Sequence, residues 1–143
     1  MANNATDEHS DFENELRAFF SEYLSAFQRQ DASAISELWD EVGLFPSPTR
    51  NFSMDREAFH NHCVTLLDFY EKQGVAEPTG ELLSSDELFP GVAQARMAYA
   101  MLGSKGTPVA NWEHVYIIRK TDGQCRVSLT IADDEMAAWT AAG

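Results

Sequence analysis

Hydrophobic residues recur at Phe12, Leu16, Phe19, Phe20, Tyr23, Leu24 and Phe27, mostly in steps of three and four that draw one stripe down a helix. A face of that kind has to be covered, so this helix is expected to lie against the core. Ser10 followed by Glu13 has the form of a capping box and predicts the helix start there; the polar, acidic residues 1–10 are expected to be flexible. Asp31 is a good N-cap for a second, shorter helix carrying Ile35, Leu38 and Trp39. Gly43 and the run Pro46-Ser47-Pro48 stop helix beyond it and leave 42–45 as a short strand. A third helix is predicted from near Asp55, burying Phe59, Cys63, Leu66, Leu67 and Tyr70 and ending before Gly74 and Pro78.

From there the pattern reads as sheet. Strands are predicted over 79–88, 92–102, 108–120 and 124–132, separated by Pro90-Gly91, Gly103-Ser104-Lys105-Gly106 and Asp122-Gly123, each a turn signal. Strands joined by hairpins, with no helix between them, form an antiparallel meander, so the helices can cover only one of its faces. Asp133-Asp134 can cap a final helical turn carrying Met136 and Trp139. The fold class is therefore α+β, and 143 residues with 44% hydrophobic content suit one domain over residues 1–143 with one core.

Charge removes several partner classes. Lys+Arg 10 against Asp+Glu 23 gives a net charge of -13, a field that repels nucleic-acid phosphates and anionic lipid heads. No stretch stays apolar long enough to cross a bilayer, and the first residues lack the apolar centre of a leader, so the expected location is cytoplasmic. Cys63 and Cys125 read as free thiols. The sequence has no phosphate-cradling glycine loop, nucleophile elbow or spaced cysteine motif. In His60-Asn61-His62-Cys63 the two imidazoles stand about 200° apart around a helix and cannot close on one ion, so neither metal nor cofactor is expected.

The stripe ending Tyr23-Leu24-Ser25-Ala26-Phe27, followed by Asp31, Ile35 and Leu38-Trp39, resembles the nuclear transport factor 2-like superfamily, and the likeness runs over residues 12–131. It implies a cystatin-like cone, a curved antiparallel sheet wrapped around the long first helix with an internal pocket. The superfamily includes ketosteroid isomerases, polyketide cyclases, scytalone dehydratases and proteins without catalysis. The resemblance thus implies a small, mostly apolar ligand, handled by an isomerase, cyclase or dehydratase through proton transfer, or held by a non-catalytic dimeric module. Tyr23 matches the first-helix Tyr of the ketosteroid isomerases, and Glu113-His114 stands where they carry an acid followed by His. Their Asp base falls on Ser47, before Pro48, and a hydroxyl does not accept a proton near neutral pH as a carboxylate does.

On that resemblance Tyr23 and Glu113 would polarise a ligand oxygen, with Asp40 or a water near Ser47 as base, provided an apolar pocket keeps the Glu113 carboxyl protonated. The plainer alternative makes Tyr23 an ordinary core residue and pairs Glu113 with solvent or an arginine. Asp40 with His62 is a further option, after the Asp-His arrangement of the scytalone dehydratases. Phe19, Phe27, Ser47, His62, Met97, Tyr99 and Val115 are expected to line the pocket. If Glu113 faces inward, alternation turns Val109, Asn111, Val115 and Ile117 inward too. Trp112, His114, Tyr116 and Ile118 then form an outer face that a homodimer would cover. On the neighbouring strand Met97, Tyr99 and Met101 oppose Gln94 and Arg96, and in the last strand Cys125, Val127, Leu129 and Ile131 form one apolar set.

Overall fold

The computed structural model describes residues 3–47 and 51–132. The chain runs α1 (Asn3–Gln28), α2 (Ala32–Glu37), β1 (Trp39–Pro46), β2 (Asn51–Asp55), α3 (Arg56–Lys72), β3 (Glu77–Phe89), β4 (Val92–Leu102), β5 (Pro108–Thr121) and β6 (Gln124–Ala132). Helix α1 begins before Ser10, so the Ser10–Glu13 pair lies within it and not at its start; residues 3–12 contain neither glycine nor proline to interrupt the helix. The Asp31 cap forms as the sequence predicts, and Asp55, at the expected start of the third helix, caps that helix as well. Asp31 accepts from the Ala34 amide at 3.0 Å, and Asp55 from the Ala58 amide at 2.8 Å.

The six strands form one curved sheet in the order β2-β1-β6-β5-β4-β3. All neighbours are antiparallel except β1 and β6. Two elements depart from the sequence reading. Trp39 opens β1 instead of closing α2, because the Val127 amide donates to the Leu38 carbonyl at 2.9 Å and draws the chain into the sheet. Strand β2 is new, paired with β1 through Phe45 opposite Phe52. The hairpins fall where the turns predict: Gly91, Gly106, Asp122 and Gly123 all take positive φ, which glycine adopts without strain. The expected final turn with Met136 and Trp139 lies outside the described residues.

The alternation expected along β5 is reversed. Trp112, Tyr116 and Ile118 are buried beneath the helices, whereas Glu113 pairs with Arg96 at 3.2 Å on the opposite face. Register explains this, since Met97 sits across from His114 and Arg96 across from Val115. Once Met97 faces inward and Arg96 outward, His114 must face inward and Val115 outward. In β6 the apolar set splits. Ile118 pairs with Val127 but Ile117 with Leu129, and the extra residue turns Leu129 and Ile131 to the outer face while Thr130 joins the inner one.

Helix α1 crosses the inner face and serves two purposes along its length. Its middle packs solidly: Phe12, Leu16 and Phe20 join Ile118 and Val127 in the core, and Phe20 lies 5.2 Å from the Tyr116 ring. Lys120 reaches Glu15 at 2.7 Å along this stretch, and Gln28 donates to the Pro78 carbonyl at 2.9 Å at the helix's end. The last turns of α1, from Tyr23 on, face a hollow.

Candidate functional site

The hollow has a volume of about 510 Å³ and lies between the C-terminal half of α1, helix α3, the β1–β2 hairpin and the inner faces of β4 and β5. Helix α1 supplies Tyr23, Leu24 and Phe27. Helix α3 supplies Phe59, His62, Cys63, Leu66 and Tyr70, and β1 supplies Trp39 and Phe45. From β4 come Tyr99 and Met101, and from β5 Trp112, His114 and Tyr116. Aromatic faces dominate: Trp39 stacks on Phe45 at 5.2 Å and Phe45 on Phe52 at 5.2 Å, so the hairpin extends the wall toward the mouth.

Two glycines let the large rings lie where they do. A Cβ on Gly43 would come within 2.7 Å of the Trp39 indole, and one on Gly80 within 3.0 Å of the Tyr99 ring. In both places a strand backbone is left bare so that an aromatic side chain can cover it.

Within the aromatic walls sits a polar network. The Trp39 indole N–H donates to the Tyr23 hydroxyl at 3.1 Å. The Tyr99 and Tyr116 hydroxyls are 2.7 Å apart, and the Trp112 indole N–H donates to His114 Nδ1 at 2.7 Å. Burial, with the nearby Tyr99 phenol adding to it, pushes the pKa of Tyr23 and of Tyr116 well above the ordinary phenol value, so both stay protonated. Burial lowers His114 to about 4 and raises the Cys63 thiol to about 12. At neutral pH the first is an uncharged imidazole and the second an inert thiol. His62, near Phe59 at 6.2 Å, is also lowered by burial.

Among the described residues every one that lines the hollow is uncharged at neutral pH, since the set contains no Asp, Glu, Lys or Arg. Of the residues expected from sequence, Tyr23, Phe27, Ser47, His62 and Tyr99 line the hollow. Phe19 packs behind it against Phe20 and Tyr23, at 5.2 and 6.1 Å, and Met97 is buried beside it in the core. Val115 faces away. Glu113 does not meet Tyr23, because it is on the other side of the sheet with Arg96. Asp40 is not poised as a base; its carboxylate is 3.2 Å from the Arg119 guanidinium on that outer side. The Asp40–His62 pairing therefore does not form.

Trp112, His114 and Tyr116, expected to cover a dimer face, are instead the innermost polar wall. The signal that could have found them is the pair of opposite charges, Arg96 and Glu113, which calls for one face on adjacent strands. Among the described residues no group of three or more His, Cys, Asp or Glu side chains is arranged to hold a metal ion. His60 is engaged elsewhere, 3.2 Å from the Ser33 hydroxyl.

A family model described as NTF2-like protein (DUF6841) matches residues 13–135. No curated protein matches the chain in sequence. Among solved structures, Rv3472 of Mycobacterium tuberculosis, of unknown function, is similar at 17% identity over 99% of this chain and 92% of that one, with a TM-score of 0.70. Aln2 from a Streptomyces species is similar at 10% identity, over 92% and 96% of the two chains, with a TM-score of 0.70. A ketosteroid isomerase-like protein from Erwinia carotovora atroseptica is similar at 18% identity, over 83% and 92%, with a TM-score of 0.64.

Proposed function

Because the chain belongs to the NTF2-like family DUF6841, we propose that its hollow is a binding site for a small, flat, mostly apolar and uncharged molecule. The carrying observation is the lining: about 510 Å³ walled by aromatic rings, with a few uncharged polar groups and, among the described residues, no ionised side chain. Burying a charged ligand there would forfeit its hydration with nothing of opposite sign to replace it. An aromatic or alicyclic ligand, by contrast, gains stacking and buried area on every side.

A thermal-shift comparison tests this reading, since a ligand that binds only the folded protein raises its melting temperature by mass action. Neutral 2-naphthol is expected to raise the melting temperature and the 2-naphthoate anion, of similar shape, is not. Equal shifts from both, or none from either, would contradict it.

One observation favours a second reading, chemistry by proton transfer of the isomerase, cyclase or dehydratase kind. His62 borders the hollow as a neutral imidazole, a competent proton acceptor, while the phenols and His114 stand as donors on the inner wall. In heavy water the protein is then expected to speed deuterium uptake at the acidic carbon of 2-tetralone, and His62→Ala to abolish the acceleration while still binding the ketone. Without acceleration by the wild type, only binding remains.

The homodimer through the sheet moves to the true outer face. Val115, Ile117, Leu129 and Ile131 lie there with Val42 and Leu44 beside them, and Val42, Leu44 and Ile131 are exposed. A patch of this kind on a lone molecule would stay in water. Its rim carries Arg96 and Glu113, one of each sign, so a second copy related by a two-fold axis can pair with it reciprocally.

A further inference from the structure

Two imidazoles line the cavity without a full set of partners among the described residues, His62 on an exposed stretch of α3 and His114 on the inner wall, and His114 is the more enclosed. With Nδ1 accepting from Trp112 at 2.7 Å, the neutral ring carries its own proton on Nε2. The ring is held from two sides: it stacks on Tyr116 at 5.3 Å and 16°, and meets Tyr99 edge-on at 5.6 Å. Among the described residues nothing accepts from Nε2–H, although His114 lines the hollow. A donor this enclosed, fixed in direction and left without an acceptor, is the feature a ligand would complete.

We propose that His114 Nε2–H is the recognition point of the cavity and donates to a carbonyl oxygen, so that ketones and quinones on a flat apolar frame are the ligands it selects. This rests on the reading of the hollow as a site for uncharged apolar molecules. A carbonyl fits better than the other oxygen groups because it only accepts. A ligand hydroxyl would bring a proton of its own in need of an acceptor, and a carboxylate would bring a charge that none of the described lining residues balances. Trp112 is then a positioning residue: it never needs to touch the oxygen, but its indole N–H decides which ring nitrogen bears the proton. Burial keeps the ring uncharged, so the donor does not change with pH near neutrality.

The test is a matched pair of probes, 1-tetralone and tetralin, which differ by the carbonyl oxygen. Calorimetric titration of the wild type is expected to give about tenfold tighter binding of the ketone, the usual worth of a neutral hydrogen bond. The carbonyl stretching band of bound 1-tetralone should shift to lower frequency. His114→Phe should bind the two probes equally and lose the band shift, with an unchanged far-ultraviolet dichroism spectrum and melting transition showing that the protein still folds. His114→Gln, which keeps a donor, should recover part of the preference. Trp112→Phe removes part of the wall as well as the indole N–H, so the readout is the ratio: the preference for 1-tetralone over tetralin should shrink even where both affinities fall. Nitrogen-15 spectra of the unliganded protein should show His114 protonated at Nε2. Equal affinity of the wild type for the two probes, a band shift that survives His114→Phe, or a proton on Nδ1 would overturn the proposal. If neither probe binds the wild type at all, the reading of the cavity itself falls.

Discussion

Burial holds the pKa of His114 at about 4, against 6.5 for the free side chain. Between those two values the unfolded chain binds a proton that the folded protein refuses. Stability therefore falls as the pH drops through that window and is flat with respect to this group below it. A shift of this size corresponds to about 3 kcal/mol. Urea denaturation at pH 7 and at pH 4 should show His114→Phe losing much less stability on acidification than the wild type, with a smaller slope left from His62, which burial shifts in the same direction. An unchanged acid loss in the variant would mean that His114 is not buried uncharged. Tyr23 can be tested in the same way. Tyr23→Phe removes the acceptor of the Trp39 indole N–H and should cost about 1–3 kcal/mol at neutral pH, the price of a buried donor left unmatched.

Helix caps and glycine contacts act one level up, where a single atom sets the path of a whole element. Asp31→Ala and Asp55→Ala each remove a side-chain acceptor from a helix start and should each cost about 1 kcal/mol in urea denaturation. Gly43→Ala should do more, because its Cβ would meet the Trp39 ring at 2.7 Å. The indole that walls the cavity must move, so both stability and probe binding should fall. At this scale the sequence was legible where local chemistry decides: the Asp31 cap, the start of the third helix near Asp55, the Phe12-to-Phe27 stripe, and turns such as Asp122-Gly123. It was misleading where both faces of a strand are apolar. In β5, Trp112 and Tyr116 alternate with Val115 and Ile117, so period two marks no inside, and pairing with β4 had to decide. The offset in β6 between Val127 and Leu129 left no sequence mark either, and the four apolar residues read as one set divide between two faces. Strand β2 escaped because five residues, Asn51–Asp55, offer too short an alternation to stand out.

For the whole molecule, reversing β5 exchanges the roles of two surfaces. The aromatic row becomes the inner wall of a hollow and the aliphatic row becomes the outer face, so the proposed ligand and the proposed second copy would approach opposite sides of the same strand. Ile131→Glu places a charge on the outer face at a residue already 44% exposed, which spares the fold. Sedimentation at micromolar concentration should then show the wild type as a dimer and this variant as a monomer; a monomeric wild type would remove the second copy from that face. Among the described residues no helix is long and apolar enough to cross a membrane, and the NTF2-like neighbours support the same architecture at 10 to 18% identity, which speaks to fold alone. The central claim is that the space beneath α1 is open and accepts an uncharged flat ring. The most direct measurement is a crystal soaked with 6-bromo-2-naphthol, in which anomalous scattering locates the bromine. The account predicts a peak inside the hollow, among Tyr23, Trp39 and Trp112; a filled hollow, or bromine found only on the outer surface, would contradict it.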